Sequence, residues 1–240
     1  MKSTSPIVTR LIALDTLKTW SLIATLFGDL DGVELSGTQI RDLLGDIGIK
    51  PEAIRVALHR LKSDGWIVAT KQGRAAIYQM SPSAKAETQA VAPDIYRQRV
   101  KYPQGWAFEY SAEAPTSRNA IVLQKNLCVV PVSTASNDDN SLLLRPRTPD
   151  VPDWVAAQLV SGSLVDLAAG LARLLHQADH LRTPQEQTMY RLLVLHHWRR
   201  IALRDGSWAH VHFFPDGAIA RCHAQVTAYL HRTDRIRLDG

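Results

Sequence analysis

The residues with the clearest chemical meaning in this sequence are cations gathered in one short stretch. Six of them lie between positions 50 and 74, where only two acids, Glu52 and Asp64, oppose them. These cations are Lys50, Arg55, Arg60, Lys62, Lys71 and Arg74. A local excess of positive charge attracts phosphate-bearing polymers. The whole chain is also basic, with a formal net charge of +5 over 240 residues, so the sequence favours a nucleic-acid partner.

The elements that must position these cations are predicted from the spacing of apolar residues. An amphipathic helix is indicated over 20–30, where apolar side chains recur at helical spacing. Ser36 is the predicted N-cap of a second helix, and Gly48 is predicted to end it. Pro51, which suits the first helical turn, opens a third helix. Two helices joined by a short turn that contains glycine are typical of a helix-turn-helix.

The third helix has two distinct faces. Its buried face is predicted from the i, i+3, i+4, i+7 spacing of Ile54, Ala57, Leu58 and Leu61. Arg55, His59 and Lys62 share another face, with Arg60 at its flank. Such a helix fits the major groove of DNA, where arginine reads guanine.

A β-hairpin is predicted directly after the third helix. In the first strand Trp66, Val68 and Thr70 alternate with Ile67 and Ala69. Residues 75–80 form the returning strand after a turn at Gly73. This hairpin is interpreted as the wing of a winged helix-turn-helix. The residues predicted to contact DNA are Thr38, Gln39, Arg41, Lys50, Arg55, His59, Arg60, Lys62, Lys71 and Arg74. The alternative is a solvated basic face on an unrelated three-helix domain or protein-interaction module.

Two stretches of the sequence resemble the PaaX-type repressors of phenylacetic-acid degradation operons. The first reads IRVALHRLKSDGWI followed by KQGRAAIY, and the second reads LVLHHWRRIALRD, from Leu193 to Asp205. FPDG, at 214–217, is similar to the end of a later motif of that family. The resemblance implies a dimeric repressor that binds double-stranded operator DNA and is released by an acyl-CoA such as phenylacetyl-CoA.

The second stretch supplies the candidate effector-binding residues. His196, Arg199, Arg200 and Arg204 all fall within it, and arginine is well suited to the phosphates of an acyl-CoA. The alternative is structural: arginines paired with acids across a domain interface, and a histidine that packs or forms a hydrogen bond.

The predicted fold class is α+β and mostly helical. A tail (1–18) precedes the winged helix-turn-helix (19–80), and a linker with a small α+β unit follows (81–160). The resemblance implies that this unit is a trimmed version of a ferredoxin-like fold. A helical PaaX-like C-terminal domain (161–232) and a second tail (233–240) complete the chain. Within that domain, Thr183 is predicted to cap a helix that has Pro184 at its first position and Glu186 in its first turn. Strands are predicted at 106–110, 126–132 and 142–144, and residues 81–94 are predicted to be a linker or a short connecting helix.

Other chemistry is weakly supported by the sequence. His210 and His212 have ligand-like spacing and are placed on a strand, but no further ligand completes a zinc set. We therefore expect no metal, no cofactor and no catalytic residue. The alternative function is a metal-dependent enzyme acting on nucleic acid or an acyl-CoA.

The two cysteines, Cys128 and Cys222, sit in apolar stretches and are predicted to be buried free thiols. Free thiols fit a cytoplasmic protein. No apolar run is long enough to cross a membrane, and no secretory leader is recognised at the N-terminus.

Overall fold

A computed structural model describes most of the chain. The described residues are 5–30, 32–97, 105–113, 119–135, 139–147, 152–159, 161–177, 181, 183–204 and 207–238. The helices are α1 (Pro6–Ile12), α2 (Thr19–Leu30), α3 (Gly37–Asp46), α4 (Pro51–Ser63), α5 (Pro82–Tyr96), α6 (Asp153–Leu159), α7 (Gly162–Leu175), α8 (Pro184–Ala202), α9 (Ser207–His212) and α10 (Ala218–Arg232). The strands are β1 (Leu35–Ser36), β2 (Ile67–Gln72), β3 (Ala75–Met80), β4 (Trp106–Ser111), β5 (Ile121–Gln124), β6 (Leu127–Pro131) and β7 (Ser141–Leu144). The predicted mixture of many helices with some sheet is confirmed.

The N-terminal unit, residues 19–80, contains three helices and a three-stranded antiparallel sheet in the order β1-β3-β2. The predicted N-cap at Ser36 is present: its hydroxyl accepts from the Gln39 amide, and the Gln39 side chain accepts from the Ser36 amide. This capping box fixes the start of α3. Ser36 also pairs with Ile77 of β3, so the same residue attaches α3 to the hairpin.

Of the two alternatives predicted for 81–94, a linker or a short connecting helix, the structure has the helix: α5 runs from Pro82 to Tyr96. The Ser81 hydroxyl caps it by accepting from the Ala84 amide. Its far end is held by Trp198, whose indole N–H donates to the Ile95 carbonyl at 2.9 Å. The connection is therefore a packed element that leads from β3 towards α8.

The middle unit is a four-stranded antiparallel sheet in the order β5-β6-β4-β7. Three of its strands were predicted, and β5 was not, because IVLQ is too short to show alternation. One face packs Trp106 and Val129 against Leu159 of α6 and against Phe213, which follows α9. The described residues of the connections on either side of the β5–β6 hairpin contain no α-helix.

In the C-terminal unit, residues 161–238, helices α7 and α10 pack on a central helix, α8. Thr183 and Glu186 form the predicted capping box at the start of α8. Most residues from Met189 to Trp198 are apolar and all of them are buried, because α1, α2, α7 and α10 all pack on this helix. His210 and His212 lie on α9 rather than on a strand. The sequence VHFF mimics strand alternation, but Ala209 and Val211 are buried by helix packing.

The two predicted tails are structured where the chain is described. Residues 6–12 form α1, which buries Ile7, Val8 and Leu11 against α8. At the other end, Ile236 is buried in the same core. Both short apolar segments pack into the same cluster as the apolar residues of α8. A single sequence window does not reveal this packing, because the contacting segments are far apart in the chain. One continuous apolar cluster consequently joins the N-terminal and C-terminal units.

No helix within the described part of the chain is long and apolar enough to cross a membrane.

Candidate nucleic-acid interface

The turn between α3 and α4 is closed by backbone hydrogen bonds. The Gly48 amide donates to the Gly45 carbonyl and the Ile49 amide donates to the Leu44 carbonyl, both at 2.9 Å. Gly48 has a φ of 93°, a conformation that side chains with a Cβ rarely adopt. The chain then enters α4 at Pro51, which needs no amide donor there. This turn sets the angle between the two helices.

The predicted division of α4 into two faces is present. Ile54, Ala57, Leu58 and Leu61 are buried. Arg55, His59 and Lys62 are exposed, and their spacing confines them to about 60° of arc around the helix at 3.6 residues per turn. We call these three residues the outer side of α4. None of the three has an ion-pair partner among the described residues, so their charges and hydrogen-bond donors face solvent.

Arg60 differs from the outer side of α4. At helical spacing it points about 100° or more away from the other three. Its Nε lies 3.5 Å from Oδ2 of Asp64. Its guanidinium carbon lies 5.7 Å from the ring centroid of Trp20 on α2, within the range of a cation–π contact. Arg60 therefore faces a groove between α2, α4 and α5 rather than the open side of the helix.

The β2–β3 hairpin carries two cations at its tip. Gln72 pairs with Ala75, which leaves Gly73 and Arg74 as the turn residues. Gly73 has a φ of 60° and no atom within 4 Å of where its Cβ would lie. Lys71 and Arg74 are both exposed. Because β3 also pairs with β1 next to α3, the hairpin is connected to the start of α3 through the sheet.

The remaining residues predicted to contact DNA lie at the starts of α3 and α4. Thr38 and Arg41 are exposed, and Arg41 Nη2 donates to Thr38 Oγ1 at 3.0 Å. Gln39 is half-buried, and its side-chain oxygen is already engaged because it accepts from the Ser36 amide in the capping box. Lys50 is the exposed N-cap of α4 and makes no side-chain cap hydrogen bond.

Two exposed residues of α4 were not predicted to contact DNA. Val56 is 62% exposed, and Glu52 is exposed one turn earlier on the open side of the helix. The sequence held one indication that Val56 is exposed: this residue is apolar but falls outside the apolar repeat that forms the buried face of α4. An exposed valine on an otherwise polar helix face suits contact with a thymine methyl group.

The four candidate effector residues are not brought together on one surface. His196 is 1% exposed, and neither ring nitrogen has a hydrogen-bond partner among the described residues. Burial, together with the neighbouring His197, Arg200 and Arg199, lowers the pKa of His196 to about 3. Its imidazole is therefore neutral at physiological pH and packed inside the molecule.

The three arginines of this set occupy different surroundings. Arg200 pairs with Asp15 at 2.7 Å and donates to the Thr16 carbonyl. Arg199 is partly buried, with Nη1 3.5 Å from the position a Cβ would take at Gly28 of α2, and burial lowers its pKa. Arg204 is exposed just after α8 ends. The pairing of Arg200 with an acid agrees with the structural alternative stated above.

The remaining titratable groups give no second site. Within the described residues, no group of three or more His, Cys, Asp or Glu side chains is arranged to hold a metal ion. Cys128 and Cys222 are free and buried, as predicted. Burial raises the pKa of the Cys222 thiol to about 12, so it is protonated and unreactive at neutral pH.

Comparison with known proteins now adds to this geometry. Residues 18–84 match the family model described as PaaX-like protein. The transcriptional repressor PaaX of Escherichia coli (strain K12) is 24% identical over 223 residues, covering 77% of this chain and 71% of that protein. Residues 18–84 are thus similar to a PaaX-like domain, and most of the chain is similar to a PaaX repressor. The family resemblance predicted from the sequence is confirmed.

The PaaX-like segment contains all ten residues predicted to contact DNA, whereas the four candidate effector residues lie outside it. Among solved structures, an uncharacterized protein of Mycobacterium tuberculosis, Rv0674, aligns with a TM-score of 0.47 and 18% identity. That alignment covers 90% of this chain and 97% of the other.

Proposed function

We propose that this protein is a DNA-binding transcriptional repressor of the PaaX type whose residues 19–80 act as a winged helix-turn-helix. The observation that carries the proposal is the outer side of α4. Arg55, His59 and Lys62 are exposed and have no ion-pair partner among the described residues. The match of residues 18–84 to the PaaX-like family model and the similarity to a transcriptional repressor of E. coli support the same conclusion.

The mode of binding follows from the positions of the side chains. With α4 in the major groove, Arg55 reads a guanine edge and Lys62 contacts a phosphate, while Val56 meets a thymine methyl group. Lys71 and Arg74 extend from the hairpin to the adjacent backbone or minor groove. Thr38 and Arg41 contact the phosphates beside the start of α3. Arg60 acts indirectly, by fixing α4 to α2 through Trp20.

The biological role we propose is repression of an operon for aromatic-acid breakdown of the phenylacetate type. A cytoplasmic homodimer places two α4 helices in successive major grooves of a near-palindromic operator. An acyl-CoA, such as phenylacetyl-CoA, releases it by binding the conformation that fits DNA less well. His196 is enclosed and Arg199 is partly buried. Of the four candidate effector-binding residues, Arg200 and the exposed Arg204 are therefore the two that we propose to contact the acyl-CoA.

The middle sheet is proposed to be a trimmed ferredoxin-like unit. Numbered from β4, its strands lie in the order second, third, first, fourth, and all neighbours are antiparallel. This is the strand arrangement of that fold, and the described residues of the two crossover connections contain no α-helix. The role we propose for this unit is structural and regulatory rather than enzymatic.

The proposed function is tested by anisotropy titrations with a labelled duplex from the protein's own promoter region. The Arg55→Ala/Lys62→Ala variant is compared with Arg173→Ala/Lys125→Ala, which removes the same charge from exposed positions elsewhere. We expect the first variant to lose at least about tenfold in affinity and to lower the salt slope by about one. Equal affinity of the two variants at equal salt would contradict the assignment of α4. Repeating the titration with phenylacetyl-CoA tests the effector.

A further inference from the structure

One buried polar cluster connects the N-terminal unit to the C-terminal unit. Asp29, near the end of α2, accepts from Arg191 of α8 through Nε at 2.7 Å and Nη2 at 2.9 Å. The Tyr96 hydroxyl donates to the same carboxylate at 3.0 Å, and the Ile236 amide donates at 2.9 Å. A carboxylate has about four acceptor sites, so Asp29 is saturated. The side chains of Asp29 and Arg191 are 0% and 4% exposed.

The segment after α10 binds both members of this ion pair. We call residues 233–238 the strap. Thr233 accepts from Arg191 Nη1 through its carbonyl at 3.2 Å and through its hydroxyl at 2.6 Å. Three residues later, the Ile236 amide reaches Asp29 and the Ile236 side chain enters the core. Undocking the strap leaves unpaired polar atoms on both sides of a buried ion pair, which is costly.

Helix α2 lies between this cluster and the candidate recognition helix. Trp20 and Asp29 are nine residues apart, which is two and a half turns and about 13 Å along the axis, so they point to opposite faces. Trp20 contacts Arg60 of α4, whereas Asp29 contacts α8 and the strap. The helix packs on α4 and α8 at once. A displacement of α2 at Asp29 is therefore passed to α4, because close-packed helices do not deform independently.

Tyr96 connects a third element to the same carboxylate. Its burial and the adjacent Asp29 raise the pKa of the hydroxyl well above its usual range, so it stays protonated and remains a donor. Its carbonyl is held by His231 Nε2 at 3.0 Å. The end of α5, which leads out of the hairpin, is thus fixed to the same place as α2.

We propose that the strap is a regulatory latch: docked on Asp29 and Arg191 it holds α2, and through α2 it holds α4 in its DNA-reading position. Release of the strap loosens α2 and weakens DNA binding. The C-terminal unit therefore controls the recognition helix by direct packing and needs no flexible linker. Only the last step, the effect on DNA affinity, rests on the proposed function.

The test uses hydrogen exchange, read by mass spectrometry, on the full chain. The Tyr96→Phe/Thr233→Val variant removes one hydroxyl from each side of the cluster and keeps the shape of both side chains. The control is Thr227→Val, which removes a buried hydroxyl that bonds only to carbonyls of its own helix, α10. We expect amides of α2 and α4 to exchange about tenfold faster in the double variant than in wild type. The control should match wild type in α2 and α4.

A DNA titration accompanies the exchange measurement, with a random-sequence duplex at low salt as the probe. We expect the double variant to bind at least about threefold more weakly than the control. Unchanged exchange in α2, or equal acceleration in the control, overturns the latch. If wild type binds no duplex, the proposed function fails, while the exchange data still decide whether the strap holds α2. If the double variant does not fold, Tyr96→Phe alone is used with the same criteria.

Discussion

Asp29 and Arg191, 162 residues apart in the chain, form a buried two-point ion pair with Nε–Oδ2 and Nη2–Oδ1 distances of 2.7 and 2.9 Å. The pair lies where α2 of the N-terminal unit crosses α8 of the C-terminal unit. Its geometry is bidentate, the arrangement in which arginine binds carboxylates most strongly. Because both groups are enclosed, each depends on the other for compensation of its charge.

Replacing Asp29 with asparagine is expected to destabilise the protein strongly. The amide would keep the shape of the side chain but leave the Arg191 charge uncompensated, a loss of about 3–5 kcal/mol in the free energy of unfolding. Urea unfolding at pH 7 measures this loss. The control is Asp15→Asn, which removes the carboxylate next to Arg200 at a site about one third exposed, and is expected to cost less than about 1 kcal/mol. Equal losses would show that Asp29 is not effectively buried.

Arg60→Ala is expected to weaken DNA binding less than Arg55→Ala. Arg60 is engaged with Asp64 and Trp20, whereas Arg55 faces solvent. A base contact is worth about 1–3 kcal/mol, so Arg55→Ala should reduce affinity about tenfold or more. Removal of an exposed pair and a cation–π contact should cost only about 0.5–1 kcal/mol of stability. Anisotropy titrations of both variants at one salt concentration compare them, and a larger loss for Arg60→Ala would place Arg60 at the DNA.

Gly73→Val is expected to destabilise the hairpin by about 1–2 kcal/mol, because a β-branched residue is strained at a φ of 60°. Nothing within 4 Å opposes a Cβ there, so the cost is conformational and not steric. Gly73→Asn serves as the control, since asparagine tolerates this region. Urea unfolding of both variants measures the difference. If asparagine and valine cost the same, backbone conformation is not the cause.

Stability is expected to fall as the pH drops from about 6.5 towards 3. The pKa of His196 is lowered from 6.5 to about 3 in the folded chain, so the unfolded state binds more protons throughout this interval. Stability therefore decreases on acidification, by at most about 1.4 kcal/mol per pH unit for this group. His210, whose burial lowers its pKa to about 4, acts in the same direction.

Urea unfolding at pH 7 and pH 5 measures this dependence for wild type and His196→Leu. The variant should show a flatter pH dependence, with little loss of stability at pH 7, because neither His196 ring nitrogen has a partner among the described residues. His59→Gln, at an exposed position, should leave the slope unchanged. A wild-type slope retained in His196→Leu would assign the effect to other groups.

Leu11→Ala is expected to cost about 2–5 kcal/mol in the free energy of unfolding, the usual range for a buried leucine. Leu11 is fully buried where α1 packs on α8, and its carbonyl lies 2.8 Å from His197 Nε2. Thr9→Ala, on the exposed side of the same helix, is the matched control and should cost less than about 1 kcal/mol. Urea unfolding measures the free energy of unfolding of both variants. A negligible loss for Leu11→Ala would show that α1 does not pack stably on α8.

The elements that the sequence predicted well are those with signals inside the element itself. Ser36, Pro51 and Thr183 mark helix starts through caps and proline, and the structure places helices directly after or at each of them. Two of the elements it missed, α1 and β5, have only seven and four residues. Ser5 and Pro6 at the start of α1 are such a signal, but it was not used because the apolar pattern after it is short. Short segments become ordered only through distant partners, because isolated short helices are unstable in water.

By itself the sequence determined which face of α4 is buried, where the hairpin turns and which cations lie outside the core, since these depend on residue spacing over one or two helical turns. Only the tertiary structure decided that Arg60 contacts Trp20, that His196 is enclosed and that α1 and Ile236 join the core. It alone paired Asp29 with Arg191. The physical reason is that local periodicity encodes the direction of a side chain, whereas its partner is chosen by packing between segments that are distant in the chain.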